Sequence, residues 1–150
     1  MKNKIVSAAI PLTRLILGEE EKQAIAEVID SGWLTQGAVV HEFERVVAEY
    51  VGVKYAVAVT SCTTALHLAL LLHRIGPGDE VILPSYTWIA TANVVRMAGA
   101  MPVFADIELE TFNLSSETVE PFISSKTKAI LAVHQFGLPG IVVIICIIEH

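Results

Sequence analysis

Apolar residues recur along this chain in two alternating rhythms. From Glu19 to Ser31 they follow helical spacing. Ile25, Val28 and Ile29 share one face, and Glu19, Glu20 and Glu21 fill the first turn, where the helix dipole favours acids. Ser31-Gly32 is a stop signal, and Trp33-Leu-Thr-Gln-Gly37 follows as a loop. A second helix is predicted from Val39 to Val51, with Phe43, Val46, Val47 and Tyr50 as its apolar stripe and Gly52 at its end. Tyr55–Thr60, apolar and partly β-branched, predicts a buried strand. Thr63–His73 is helical, with Leu66, Leu70 and Leu71 on its inner side, and Gly76-Pro-Gly-Asp79 is a turn.

The alternation continues. Glu80–Leu83 predicts a short strand stopped by Pro84, and Tyr86–Ala98 a helix capped by Gly99. Met101–Ala105 is a strand ending at Asp106, Thr118–Ile123 a short helix, and Ala129–His134 a further strand. Strands alternating with helices imply crossover units. The expected class is α/β, a mostly parallel sheet with helices on both faces. The run Ile141–Ile148 is uncharged and apolar, yet it follows Gly137-Leu-Pro-Gly140 with no helix between. A parallel neighbour needs a connection of a dozen or more residues. Either this run pairs antiparallel, or the chain end is foreign to the fold. Residues 1–140 are therefore expected to form one α/β unit and residues 141–150 an atypical apolar tail.

Composition narrows the function. Of 150 residues 53% are hydrophobic and 17% charged, which excludes a disordered chain. The formal charge is −6 with no basic run, so nucleic acid is not an expected partner. Cys62 and Cys146 form neither a disulfide framework nor a zinc motif, and they suit a reducing compartment. The apolar stretch after Lys4 is broken by Pro11 and Arg14, short of a secretory core of about 7–15 residues. No segment reaches the roughly 18 apolar residues of a membrane helix. A cytoplasmic protein with no membrane partner is expected. His41, His67 and His73 lack ligand spacing to any cysteine or carboxylate, so no metal site is expected.

Two strand-to-helix junctions carry candidate chemistry. Ser61, Cys62, Thr63 and Thr64 place backbone N–H groups and hydroxyls at a helix N-terminus, a natural cup for a phosphate. Ordinary N-capping by Ser61 explains the same residues. Trp88 opens the next helix, where an indole can stack on a flat cofactor or simply join a core or interface. Cys62 as a nucleophile lacks an evident base.

These pieces, with Leu17-Gly-Glu-Glu-Glu21, Tyr50-Val-Gly-Val-Lys-Tyr-Ala-Val-Ala-Val59, Ser61-Cys-Thr-Thr-Ala-Leu-His67, Gly76-Pro-Gly-Asp-Glu-Val81, Pro84-Ser-Tyr-Thr-Trp-Ile-Ala-Thr91, Gly99-Ala-Met-Pro-Val-Phe-Ala-Asp106 and Val133-His-Gln-Phe-Gly137, carry a resemblance. Over residues 10–139 the chain resembles the amino-terminal part of the DegT/DnrJ/StrS family of pyridoxal-phosphate sugar aminotransferases. The resemblance implies part of the large domain of a fold-type-I transferase, with the small domain absent. It implies pyridoxal 5'-phosphate as cofactor, held by Ser61, Cys62 and Thr63 at its phosphate, by Trp88 against its ring, and with Gln135 near it. Cys62 stands where the family carries a small residue. Trp33–Gly37 matches a loop near the substrate or dimer partner. The implied reaction is amination of a nucleotide-linked keto sugar by an amino-acid donor, for amino-sugar and polysaccharide biosynthesis, in a homodimer.

The same resemblance implies what these residues do not include. The family's Schiff-base lysine lies beyond residue 150, and none of Lys2, Lys4, Lys22, Lys54, Lys126 and Lys128 sits in its motif. His150 stands where the family's strand carries the acid that partners the ring nitrogen, in Ile148-Glu149-His150. The expectation is a truncated transaminase, inactive alone, with no catalytic residue assigned. The alternative is a non-catalytic product that binds a phosphate-bearing ligand or pairs with a full-length homologue.

Overall fold

The computed structural model describes residues 14–140 and 146–147, and the chain divides into two units, Met1–Ala58 and Val59–His150. In the first, helix α1 (Glu19–Asp30) begins with the three predicted acids. The Glu21 carboxylate reaches back to accept the Gly18 N–H at 2.6 Å, which holds its carboxyl below the usual range. Helix α2 (Ala38–Val51) ends at Gly52, whose φ of 76° is the left-handed turn that glycine adopts without strain. On the outside of α2, Arg45 bridges Glu42 and Glu49.

The apolar stripes of both helices lie largely open. Ile25 and Ile29 on α1, and Phe43, Val46 and Tyr50 on α2, are all exposed, while Ala48 is buried. Helical period shows that a face is apolar, but not that a described residue covers it.

The second unit is built on strand β1 (Glu80–Pro84), at the centre of a sheet ordered β2–β1–β3–β4. Strands β2 (Met101–Ala105) and β3 (Thr127–Ile130) flank β1 in parallel, and β4 (Cys146–Ile147) pairs antiparallel with β3. Helix α3 (Cys62–Leu72) precedes β1, and α4 (Ile89–Met97) makes the crossover from β1 to β2. Helix α5 (Ser116–Val119) and a following single turn lie between β2 and β3.

Strand alternation sends successive β1 residues to opposite faces. Val81 and Leu83 pack with Leu70 of α3, Val94 and Val95 of α4, and Ala129. Ile82 packs the other way with Ala105, Leu114, Val119 and Ile130. Helices thus cover both faces, as the pattern implied. Gly99, at φ 86°, ends α4, and the Ala100 N–H returns to the Val95 carbonyl at 3.1 Å.

Three expectations need correction. Tyr55–Thr60 is not a buried strand: it joins no ladder among the described residues, and Tyr55 and Val57 are exposed. Composition shows strand propensity, but a ladder needs a neighbour. What fixes the segment is a carboxylate, since the Ala58 N–H donates to Glu44 Oε1 at 2.9 Å. That bond and His41, 3.2 Å away, hold the Glu44 carboxyl below its usual range. Helix α4 begins at Ile89 rather than Tyr86, because Trp88 is still extended, with ψ 139°. β3 begins at Thr127, two residues before the predicted start, and ends at Ile130, four before the predicted end at His134, with the Leu131 N–H donating just past it to the Ile82 carbonyl. Polar Thr127 and Lys128 hid that start from a hydrophobic pattern. Of the apolar run after Gly140, Cys146 and Ile147 take the antiparallel alternative, and the rest lies outside the described residues. No helix among the described residues is long and apolar enough to cross a membrane.

Candidate functional site

Ser61 occupies the N-cap of α3, with extended backbone, and its Oγ accepts the Thr64 N–H at 3.1 Å. Ordinary capping is therefore present. It satisfies one donor of the first turn and leaves the Cys62 and Thr63 N–H groups, for which a helix start supplies no acceptor. Around them the hydroxyls form a chain: Thr64 Oγ1 lies 3.0 Å from Ser61 Oγ and 3.3 Å from Thr60 Oγ1. The Cys62 side chain is exposed and free.

Trp88 is the N-cap of α4, and its indole is 79% exposed. Its position relative to Ser61 follows from the topology. α3 leads through the Gly76–Asp79 turn into the start of β1, so α3 runs back along β1 with its N-terminus at the strand's carboxyl end. The lengths agree: eleven helical residues span ~16 Å and five strand residues ~17 Å. α4 starts five residues after β1 ends, at the same edge. Both helices pack on the same side of the sheet, sharing one core. The two helix starts thus share one face and one edge, the carboxyl edge at which open parallel sheets take ligands.

Gln135 stands at that edge too, past the carboxyl end of β3, in a single tight turn, Gln135–Gly137. Its N–H donates to Asn113 Oδ1 at 2.9 Å. Asp106, just past β2, is exposed and accepts the Ile107 N–H at 2.9 Å. The Trp33–Gly37 loop belongs to the other unit. There the Trp33 indole N–H donates to the Gln36 carbonyl at 3.0 Å, and the ring fills the space a Cβ on Gly37 would need.

Sequence reasoning missed two groups of residues here. Tyr86, Phe112 and Phe136 form an aromatic triad with ring centroids 5.6–6.5 Å apart. Phe112 and Phe136 have φ of 58° and 53°, left-handed backbone that bulky residues rarely adopt. Asn113, 2% exposed, ties the turn containing Gln135 to the rest of the unit. Only the dipeptide Phe112-Asn113 between two predicted elements hinted at a turn, and nothing in it named Gln135 as partner.

The lysines of this unit fall elsewhere. Lys126 precedes β3 and Lys128 lies near its amino end, the edge opposite Trp88.

Known proteins share this arrangement. A protein of Streptococcus pneumoniae described as a sugar aminotransferase, solved in its PMP form, is 36% identical. The match covers 88% of this chain and 33% of that one, with a TM-score of 0.83. The same protein has been solved in a PLP form. DesV of S. venezuelae is 41% identical over 82% of this chain and 33% of its own, with a TM-score of 0.78. 3-Amino-5-hydroxybenzoic acid synthase is 35% identical over 84% and 33%, with a TM-score of 0.78. The chain spans about a third of the length of these relatives, and its fold matches part of a pyridoxal-phosphate aminotransferase. The pattern that defines one aminotransferase family runs through residues 15–144, taking in both helix starts and the Gln135 turn, and so the chain belongs to the DegT/DnrJ/EryC1/StrS aminotransferase family.

Proposed function

We propose that residues 59–140 form the phosphate-and-ring part of a pyridoxal 5'-phosphate site, in a protein that aminates nucleotide-linked keto sugars with an amino-acid donor. One observation carries the reading: the N-termini of α3 and α4 share one face and one edge of the sheet, with two N–H groups that have no partner among the described residues on one and an exposed indole on the other. The donor set fits the group. Cys62 and Thr63 N–H and the Thr63 hydroxyl would hold the phosphate, where the helix dipole favours an anion. Ser61 keeps its capping bond and retains a hydroxyl proton to donate. Trp88 would lie against the ring, and Gln135 would stand beside it. When bound, pyridoxal phosphate supplies the electron sink, and the chain supplies binding and orientation.

Within residues 1–150 no lysine is assigned to the covalent role. Lys126 and Lys128 lie at the wrong edge for it, which favours a second reading of this chain by itself: it holds the cofactor without turning over. A homodimer, or a pairing with a full-length homologue, would cover the open stripes of α1 and α2. The relatives named above include makers of an amino sugar and of an aminobenzoate, so the substrate is set by residues other than those they share with this chain.

The test uses the 150-residue chain carrying Trp33→Phe, which leaves Trp88 as the sole indole. Titration with pyridoxal phosphate should quench its fluorescence saturably, and inorganic phosphate should compete. Incubation with glutamate and a nucleotide-linked keto sugar should give no multiple turnovers. Absence of saturable quenching refutes the site, and multiple turnovers refute the inactivity of the isolated chain.

A further inference from the structure

We propose that Asn113 is the positioning residue of this edge, setting the backbone of the Gln135–Leu138 turn and hence the place of Gln135 and Phe136. The proposal rests on the reading of Gln135 as a cofactor neighbour. Asn113 is 2% exposed, yet every polar atom of it is engaged. Its Oδ1 accepts the Gln135 N–H at 2.9 Å, and its Nδ2 donates to the Leu138 carbonyl at 3.1 Å. Its own N–H donates to Thr111 Oγ1 at 3.2 Å, and its carbonyl accepts the Glu108 N–H at 3.0 Å. The amide thus takes one donor and one acceptor from either side of Phe136.

That bracket matters because Phe136 sits in the left-handed region, where a bulky side chain persists only if its surroundings over-determine it. Two bonds to a buried side chain 22 and 25 residues away do so. Further ties close the turn. The Gly140 N–H donates to His134 Nδ1 at 3.0 Å, and a side chain begun at Gly140 would meet Asn113 Cβ at 3.4 Å. No other side-chain type of this size offers both an acceptor and a donor in one plane. Aspartate keeps an acceptor for the Gln135 N–H but sets a second acceptor against the Leu138 carbonyl, whereas leucine loses both bonds.

The experiment compares Asn113→Asp, Asn113→Leu and Asn113→Ala in the 150-residue chain, each checked for a cooperative urea transition. The alanine variant ensures that an ill-packed leucine does not decide the outcome. Amide exchange at Gln135, followed by NMR, should speed up at least tenfold in the leucine and alanine variants and clearly less in aspartate, which keeps the acceptor for that N–H. Pyridoxal phosphate should bind several-fold more weakly to leucine and alanine, while inorganic phosphate, held by α3, binds as before. Unchanged Gln135 exchange in leucine and alanine overturns the proposal, as does equal loss in aspartate, or parallel weakening of both ligands. Failure of the wild type to bind either ligand refutes the cofactor site instead, and the exchange data then decide the role of Asn113 alone.

Discussion

Ser61 has one observed role and one proposed role, and a set of substitutions separates them. Its Oγ caps α3 through the Thr64 N–H at 3.1 Å, and it adjoins the two N–H groups proposed to hold a phosphate. Ser61→Ala removes the cap. The loss is about 1 kcal/mol, within a range of roughly 0.5–2, or some 2–4 °C of Tm for a chain near 150 residues. Ser61→Asn and Ser61→Asp both restore a capping acceptor, and the acid also suits the helix dipole. Their stabilities should match wild type within about 0.5 kcal/mol. They part over the ligand. A carboxylate ~5 Å from a phosphate bearing about two charges costs on the order of 1.5 kcal/mol even at the dielectric of water, close to a tenfold rise in Kd. The assay is urea denaturation for stability and pyridoxal phosphate titration for binding, at low salt and at 1 M, where a Debye length of ~3 Å screens the repulsion. Asparagine should bind as wild type does, and aspartate at least tenfold more weakly at low salt, with the gap narrowing in high salt. Equal binding by the two variants at low salt would show that no anion sits at this turn.

Two more expectations follow from the packing and the charges. Leu83→Ala should cost about 2–5 kcal/mol in urea denaturation, because Leu83 is fully buried between α3, α4 and β3, and Leu72→Ala, at an 80% exposed position, should cost under about 0.5; equal costs would contradict this core. The Glu44 carboxyl is held down by the Ala58 N–H and then by His41, so it stabilises the fold above its unfolded pKa and loses that contribution as pH falls through the folded one. The Ala58 amide shift should therefore titrate with a midpoint below the ordinary glutamate range and lose that titration in Glu44→Gln, whereas a midpoint at or above that range would exclude the bond.

Much of the local structure was legible from residues alone. The acids at 19–21, the glycines at 52 and 99 and the turn at 76–79 each act within one turn of chain, so they mark helix ends whatever surrounds them. The apolar run at 81–83 marked a strand, but with three apolar residues in a row only the fold showed which of them face which layer. Ser61 was legible as the cap of α3 and Trp88 as the residue between β1 and α4, because helix starts are themselves local signals. The misread segment, Tyr55–Thr60, has the composition of a strand, but pairing depends on a neighbour that composition does not supply.

By itself, then, the sequence determined the order of helices and strands from α3 onward, the ends of several helices, the parallel character of the sheet and the family. The tertiary structure alone decided that α3 and α4 begin at one edge on one face, that Phe112 and Phe136 take left-handed backbone beneath a shared aromatic cluster, and that Asn113 grips a turn 22 residues away. The division has a physical cause. Capping and periodicity are set by bonds between residues at most about four apart, whereas a buried amide finds its partners only after the chain has closed its long loops, and any of many residues could have met it there.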